Sequence, residues 1–302
     1  MLKKYSKKDI AAATQKRLED EVVKYVESID NKSFKLALAG GVFANVKLNQ
    51  KILEINKVKD VYIFPNMGDG GLSTGAAALC YASKKNFKHK IKNVYSGPSY
   101  NNEEILKELL KFNLKYTYGK NLNKIVANEI YKNKIVGIFQ GKMEFGPRAL
   151  GNRSIFVSAK YNKINLSLNK KLGRTEFMPF APITLEKYAT KMYLNYKKGK
   201  LASKFMTLTY NCTGKMKRIS PATVHVDGTA RPQIMNSNYN PKIYNLLEEY
   251  CKISKIPNLI NTSFNMHEEP IVCSPNDAIR GFLRSNIDFL YQCFDAAIKS
   301  GA

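Results

Sequence analysis

Short apolar runs alternate with amphipathic stretches along most of the chain. Residues 34–39, 61–64 and 135–139 are apolar runs of strand length, and each is followed by a loop that contains glycine. Residues 42–54 and 101–112 repeat apolar positions at the spacing of a helix face. This alternation of strand and helix patterns predicts an α/β fold.

The segment at residues 140–153 carries the densest set of chemically useful side chains. It follows an apolar run and combines glycine and proline with Lys142, Arg148 and Arg153, while Glu144 is its only carboxylate. Glycine lets the backbone approach a ligand closely, and arginine suits planar recognition of carboxylate or phosphate. We predict that this segment, the 140–153 loop, binds an anion.

Three further segments offer similar chemistry. Lys171 and Arg174 flank a glycine, Arg231 lies in a loop that also contains glycine and proline, and residues 261–265 read Asn-Thr-Ser-Phe-Asn. Converging cations with amide and hydroxyl donors suit a polyphosphate and its transition state. For each loop taken singly, a structural arginine that binds backbone carbonyls is the simpler alternative.

Two glycine-rich turns come earlier in the chain. Gly40 and Gly41 follow the first apolar run, with Asn45 close behind. A strand, a glycine turn and a helix N-terminus can hold phosphate on backbone N–H groups, although many such turns carry glycine without a ligand. Asp69 follows the second run, where it can bind a metal, orient a hydroxyl or simply serve as a turn aspartate.

Composition narrows the function classes. Eight of the 49 cationic side chains are Arg, and five of these lie between residues 148 and 231, so geometry rather than bulk charge is indicated there. The net charge of +25 suits nucleic acid, an anionic membrane surface or anionic substrates, or else reflects a general excess of Lys. Five scattered cysteines without a C-x-x-C pair favour a reducing cytoplasm over a disulfide framework or a cysteine zinc site. No Walker sequence, G-x-S-x-G elbow or apolar run of the ~20 residues that span a membrane is present.

Six motifs, taken together and in order, carry a family resemblance. They lie at residues 38–45 (LAGGVFAN), 65–71 (PNMGDGG), 145–154 (FGPRALGNRS), 177–182 (FMPFAP), 227–233 (DGTARPQ) and 261–265 (NTSFN). In this order they resemble the O-carbamoyltransferase family of nodulation-factor and antibiotic biosynthesis, the NodU/CmcH type. The resemblance extends from about residue 9 to residue 291.

The resemblance implies an α/β architecture of two modules. Residues 1–92 would be part of an actin/sugar-kinase-like (ASKHA) domain, and residues 93–302 a YrdC-like carbamoyl-adenylation domain. The second module would form carbamoyl-adenylate from carbamoyl phosphate and ATP, and the first would transfer the carbamoyl group to a hydroxyl of a sugar or natural-product acceptor. The implied catalytic residues are Arg148, Lys171, Arg174, Arg231, Asn261 and Ser263. The implied cofactor-binding residues are Gly40, Gly41, Asn45, Lys142, Arg153 and Asn265, and the implied metal ligand is Asp69.

The chain departs from the family pattern at two places. Met1 lies just before what resembles the second half of the first module, and no H-x-x-x-H sequence occurs. We therefore expect a partner polypeptide to carry the N-terminal half and to supply histidine ligands for Fe²⁺ or another divalent metal, with Mg²⁺ accompanying ATP. Met178 stands where many members have arginine, so one phosphate contact would be absent or replaced by Lys171.

Two other functions remain open from the sequence. The high positive charge and the resemblance to YrdC-like proteins, relatives of which bind RNA, allow a nucleic-acid-binding module without turnover. No interleaving of basic and aromatic residues typical of base stacking is visible. The chain can also be a degenerate regulatory or scaffold subunit that binds adenylate without reacting it.

Overall fold

The computed structural model describes residues 5–29, 32–84, 91, 93–119, 121–174, 179–292 and 296–299. The α-helices within these ranges are α1 (Lys7–Ile29), α2 (Val46–Glu54), α3 (Leu72–Ala82), α4 (Asn102–Lys111), α5 (Leu122–Tyr131), α6 (Lys163–Lys171), α7 (Ala189–Met192), α8 (Gly214–Ile219), α9 (Pro241–Ser254) and α10 (Pro275–Ser285). The strands are β1 (Phe34–Leu38), β2 (Val58–Ile63), β3 (Tyr116–Tyr118), β4 (Val136–Phe139), β5 (Arg153–Ser158), β6 (Ala181–Leu185), β7 (Tyr210–Asn211), β8 (Thr229–Ala230), β9 (Gln233–Met235), β10 (Asn258–Ser263), β11 (Phe289–Gln292) and β12 (Ala296–Lys299).

Eight strands form one mixed sheet in the order β3-β12-β11-β4-β5-β10-β6-β9. The pairs β4–β11 and β6–β9 are parallel, and the other pairs are antiparallel. In the central pair, Phe139 of β4 lies opposite Arg153 of β5. The 140–153 loop is therefore a long connection at one end of two neighbouring antiparallel strands. The mixed α/β fold predicted from the apolar pattern is confirmed.

Apolar side chains bury both faces of the central strands. Ile155 and Val157 of β5 belong to a core shared with α4 and α10, whereas Phe156 belongs to a second core shared with α5 and α9. Because successive strand residues point to opposite faces, a strand covered by helices on both sides reads as a continuous apolar run. This burial fixes the two strand ends from which the 140–153 loop departs.

β1 and β2 form a separate two-stranded parallel sheet, with Leu36 opposite Val61 and Leu38 opposite Ile63. One core packs these strands and α2 against side chains from residues 189–234. A core of this kind holds the beginning of the chain next to a much later segment. The division into an actin-like and a YrdC-like domain stays a prediction, as does their boundary.

Two predicted elements differ from those observed. Residues 261–265, treated as a loop in the sequence, overlap strand β10, so Asn261 and Ser263 lie in a strand. The helix predicted from residue 42 begins at Val46, because Gly41–Ala44 form a 3-10 turn. Met178, where a phosphate contact was expected to be missing, lies outside the described residues.

No helix in the described part of the chain combines the length and the apolar composition required to cross a membrane.

Candidate functional site

The 140–153 loop is folded around the buried carboxylate of Glu144. Its Oε1 accepts hydrogen bonds from the backbone N–H groups of Leu150 (2.7 Å), Asn152 (2.6 Å) and Arg153 (3.3 Å). Burial raises the pKa of Glu144, against the opposing effect of these backbone donors. Sequence analysis noted Glu144 only as the loop's single carboxylate. In the structure, the Glu144 side chain lies at the centre of the loop.

Arg153 supplies the opposite charge inside the same loop. It is fully buried, with 0% exposure, and its guanidinium carbon lies 3.9 Å from the centre of the Phe139 ring. Nη1 donates to the carbonyls of Gln140 (2.7 Å) and Asn152 (3.0 Å), and Nη2 donates to that of Pro98 (3.2 Å). A side chain so placed stabilises the loop. The cofactor-binding role predicted for Arg153 stays a prediction beside this structural one.

Arg148 has the opposite environment. Its Nη2 makes one long contact, 3.4 Å, with the carbonyl of Ala44, and its buried Nε has no acceptor among the described residues. Burial lowers the pKa of Arg148. Since no described carboxylate forms an ion pair with this guanidinium, the loop presents an uncompensated cation.

Arg231 lies close enough to Arg148 for the two positive charges to interact. Burial and the nearby positive charge of Arg148 lower the pKa of Arg231 to about 9. The nearest described carboxylate on the same segment, Asp227, is occupied by Lys47 at 2.7 Å. Burial acts to raise the pKa of Asp227, but hydrogen bonds from Lys47 and Thr229 outweigh it and lower the pKa to about 2. Two adjacent, partly buried guanidinium groups thus lack a protein counter-ion within the described ranges.

Asn261 contacts the 140–153 loop, in which Arg148 lies, and the side chain of Gln233. Its Nδ2 donates to Gln233 Oε1 at 2.7 Å and, more weakly, to the carbonyl of Ala149 at 3.4 Å. Gln233 in turn donates to the carbonyl of Leu150 at 2.7 Å. The Oδ1 atom of Asn261 is buried and has no partner among the described residues. The structure therefore brings Asn261 to the backbone of the residue after Arg148 and to the side chain of Gln233, two positions after Arg231.

The other predicted catalytic residues contact different parts of the molecule. Arg174 donates to the hydroxyl of Thr262 at 3.0 Å and stacks 5.3 Å from the Phe180 ring centre. Ser263 donates to Asn265 Oδ1 at 2.6 Å. Burial lowers the pKa of Arg174. No contact in the described ranges links this group with the paired arginines, so convergence of all four loops is not observed.

Of three further predicted residues, two have side chains that contact nearby backbone carbonyls and one is exposed to solvent. Lys171 donates to the carbonyl of Asn286, just after the end of α10. Asn265 donates to the carbonyls of Met266 (2.9 Å) and Glu269 (2.8 Å), which closes a turn. Lys142 is exposed on the loop. The first two side chains have structural partners here, and their ligand roles stay predictions.

The glycine turn after β1 is built differently from the 140–153 loop. The Asn45 side chain accepts from the N–H of Leu48 at 3.1 Å and caps α2, and its Nδ2 donates to Gln15 at 2.8 Å. Gly40 has a φ of +121°, which a side chain rarely adopts, and its N–H donates to the Met67 carbonyl at 2.6 Å. A Cβ placed on Gly41 would meet no atom within 4 Å. Asn45 therefore serves the helix, and nucleotide binding at these glycines stays a prediction.

Asp69 lies in an open, mostly apolar cavity of about 610 Å³ that also includes Gly40. The side chain is exposed, in a 3-10 turn before α3. Within the described ranges, no group of three or more His, Cys, Asp and Glu side chains is placed to hold a metal ion. A single exposed carboxylate does not fit the ligand set of an iron site, and we assign no step to such a metal.

Comparison with known families matches both ends of the chain. The carbamoyltransferase C-terminus model matches residues 127–294, and the carbamoyltransferase N-terminus model matches residues 1–78. The first match alone covers more than half of the chain. The chain belongs to the carbamoyltransferase family. The expectation that it lacks the N-terminal half of the first module is not supported, because the N-terminus model matches its first residues.

Individual carbamoyltransferase relatives are longer than this chain. It is 39% identical to an uncharacterized protein of Methanocaldococcus jannaschii, over 95% of this chain and 48% of that protein. It is 32% identical to nodulation protein NolO of Bradyrhizobium diazoefficiens, over 94% of this chain and 53% of NolO. The chain thus spans about half the length of these curated relatives. None of the matches indicates a separate partner polypeptide.

Similarity to solved structures is weaker than similarity to the curated relatives. Full-length HypF, in its phosphate- and nucleotide-bound form, is 18% identical and aligns over 61% of this chain and 22% of its own with a TM-score of 0.41. A TM-score this low supports no conclusion about the fold. The fold of this carbamoyltransferase chain therefore rests on its own strand order.

Sequence analysis missed the side chains that hold the loop. Gln233 follows Arg231 by two positions, and Tyr95 donates its hydroxyl to the Leu150 carbonyl at 2.8 Å. Asn152 accepts from Asn240 at 2.7 Å within a buried amide cluster. The only sequence signal was the lone carboxylate of Glu144 among cations, since buried amides leave no spacing pattern of their own.

Proposed function

We propose that this chain binds the phosphate of carbamoyl phosphate or ATP between Arg148 and Arg231, as part of an O-carbamoyltransferase that forms carbamoyl-adenylate. The observation that carries the proposal is the pair of adjacent guanidinium groups without a counter-ion in the described ranges. Holding two like charges together is costly, and an anionic ligand removes that cost. Guanidinium groups bind phosphate oxygens through short, charge-assisted hydrogen bonds.

Asn261 supports a carbamoyl ligand over inorganic phosphate alone. Its buried Oδ1 lacks a donor, and it lies against the backbone of Ala149, next to Arg148. The neutral carbamoyl amide offers N–H donors of the kind that this oxygen lacks. We propose that Asn261 orients the carbamoyl end while the arginines bind the phosphate end.

In the proposed reaction the chain's own residues act mainly through position and charge. Water hydrolyses the bond between the carbamoyl and phosphoryl groups of carbamoyl phosphate, which gives inorganic phosphate and carbamate. A carbamate oxygen then attacks the α-phosphorus of ATP, the bond to the β-phosphate breaks, and pyrophosphate leaves. Negative charge then builds on phosphate oxygens, where fixed guanidinium groups stabilise it. An acceptor hydroxyl would next attack the carbamoyl carbon and release AMP. Mg²⁺ would be held largely by the phosphates and water, as is usual for nucleotide sites.

Calorimetric titration with carbamoyl phosphate, ATP and inorganic phosphate tests the proposal, alongside an assay of pyrophosphate release. We expect saturable binding by the wild type and about a 10- to 100-fold weaker affinity in Arg148→Gln and Arg231→Gln, since each loses charge-assisted hydrogen bonds. Arg280→Gln on α10, which removes an exposed arginine, is the matched control and should bind like the wild type. Equal affinities in all four proteins would refute the site.

No observation favours the RNA-binding alternative. It predicts affinity for RNA that falls steeply with salt, whereas the proposed site predicts saturation by small phosphates. A salt titration with single-stranded RNA therefore distinguishes the two functions.

A further inference from the structure

We propose that Glu144 is a positioning residue that holds Arg148 in the orientation needed to bind phosphate. This inference rests on the proposed function and identifies a residue that acts on the same site without touching the ligand. It arises from a set of contacts that fix the backbone on both sides of Arg148.

Three of the backbone donors after Arg148 converge on Glu144. One oxygen, Oε1, accepts from the N–H groups of Leu150, Asn152 and Arg153 at 2.7, 2.6 and 3.3 Å. A carboxylate oxygen suits this arrangement because it accepts several charge-assisted hydrogen bonds at once. The chain is thereby curled around Glu144 in the residues that directly follow Arg148.

Separate side chains fix the backbone acceptors of the same residues. The Leu150 carbonyl accepts from the Tyr95 hydroxyl at 2.8 Å and from Gln233 at 2.7 Å, and the Ala149 carbonyl accepts from Asn261 at 3.4 Å. Polar groups on both edges of the backbone are therefore engaged. Such a segment has little freedom to change the direction of Arg148.

The residues before Arg148 are restrained as well. The N–H of Phe145 donates to the Val94 carbonyl at 2.7 Å. Gly146 has a φ of +120°, and a Cβ there would lie 3.1 Å from the Pro65 carbonyl oxygen. Arg148 thus lies in a short backbone segment that is held by hydrogen bonds at Phe145 on one side and at Leu150 on the other. Because ordering is already complete before a ligand arrives, binding loses less conformational entropy.

Glu144 differs from a residue that merely holds the sheet together. Its side-chain acceptor contacts are to N–H groups of the loop, whereas the cores that join the sheet to its helices consist of apolar side chains. Removal of the carboxylate should therefore release the loop while leaving the sheet folded. That separation makes the inference testable.

The test is a double-mutant cycle between Glu144→Ala and Arg148→Gln, with affinity for inorganic phosphate and carbamoyl phosphate measured by calorimetry. We expect Glu144→Ala to weaken binding about 10- to 100-fold, as buried donors lose their acceptor. In the Arg148→Gln background the same change should have no further effect, because Glu144 acts only through Arg148. Glu144→Gln, which keeps one acceptor oxygen, should recover part of the loss. Glu186→Gln, at another partly buried glutamate with hydrogen-bonded partners, should bind like the wild type.

Hydrogen exchange on the ligand-free protein gives a second measurement that does not depend on ligand affinity. The amides of Leu150, Asn152 and Arg153 should already be protected, and Glu144→Ala should expose them while β4 and β10 stay protected. Free exchange of these amides in the wild type would overturn the inference, as would wild-type affinity in Glu144→Ala or additive losses in the cycle. If the wild type binds no phosphate, the proposed function fails, and the exchange data still decide whether Glu144 orders the loop.

Discussion

The 140–153 loop and the turn at residues 40–45 have similar sequences in outline but different structures. Both follow a strand, contain glycine and include an asparagine. In the loop, the buried side chains of Glu144 and Arg153 bind backbone groups, and the guanidinium of Arg148 has no described counter-ion. In the turn, one asparagine caps the following helix. A glycine-rich turn after a strand therefore does not itself indicate an anion site.

The difference has a physical basis in how charge is compensated. A buried charge requires partners, and Glu144 and Arg153 have them within the loop. Arg148 and Arg231 do not have them among the described residues, which is expected only where an outside anion completes the site. Four substitutions test this contrast between the loop and the turn, and a fifth tests the charge of Arg231.

Arg153→Met should have the largest effect on stability. It leaves the carbonyls of Gln140, Asn152 and Pro98 without their donor and removes the partner charge of Glu144, at a cost of about 3–5 kcal/mol in the free energy of unfolding. Asn45→Ala removes one helix cap and should cost about 1 kcal/mol. Urea denaturation measures both. Similar losses would mean that the two regions are held equally tightly, contrary to this account.

Gly151→Ala should have an intermediate effect. Gly151 has a φ of +114°, and an added Cβ would lie 3.2 Å from Ile243, so we expect a loss of about 1–3 kcal/mol. At Gly41 the added Cβ meets open space, so Gly41→Ala should change stability by less than about 0.5 kcal/mol. Thermal melting of both variants makes the comparison. A larger loss at Gly41 would show that the turn is the more constrained region.

Arg231→Met should have a small effect on stability, in the opposite direction to Arg153→Met and Gly151→Ala. The pKa of Arg231 is lowered to about 9, so its charged form destabilises the ligand-free fold below pH 9, and this cost diminishes as the pH rises above 9 towards the ordinary value of arginine. The variant should be more stable than the wild type at pH 7 by roughly 1 kcal/mol, with a smaller difference at pH 10. Denaturation at both pH values checks the sign. Saturating phosphate should stabilise only the wild type, and a less stable variant at pH 7 would argue against an uncompensated charge.

The sequence alone was sufficient to predict the structural features that depend on a local pattern of residues. Apolar runs gave the central strands, since a strand buried on both faces must be apolar throughout. The Ser6–Asp9 pair begins α1 with hydrogen bonds in both directions, because capping is a contact between near neighbours. The ordered motifs predicted the carbamoyltransferase family, which the comparisons confirmed.

Tertiary structure decided which of the candidate residues can meet a ligand. Arg148 and Arg153 are five positions apart in one motif, yet one lacks a described counter-ion and the other is buried among carbonyls. Asn261 is hydrogen-bonded to Gln233, whereas Lys171 is bound to the end of a helix. Sequence gives the charge and donors of a side chain, but its burial and partners depend on segments distant along the chain. Only the packed structure, by bringing those segments together, placed Arg231 within electrostatic reach of Arg148.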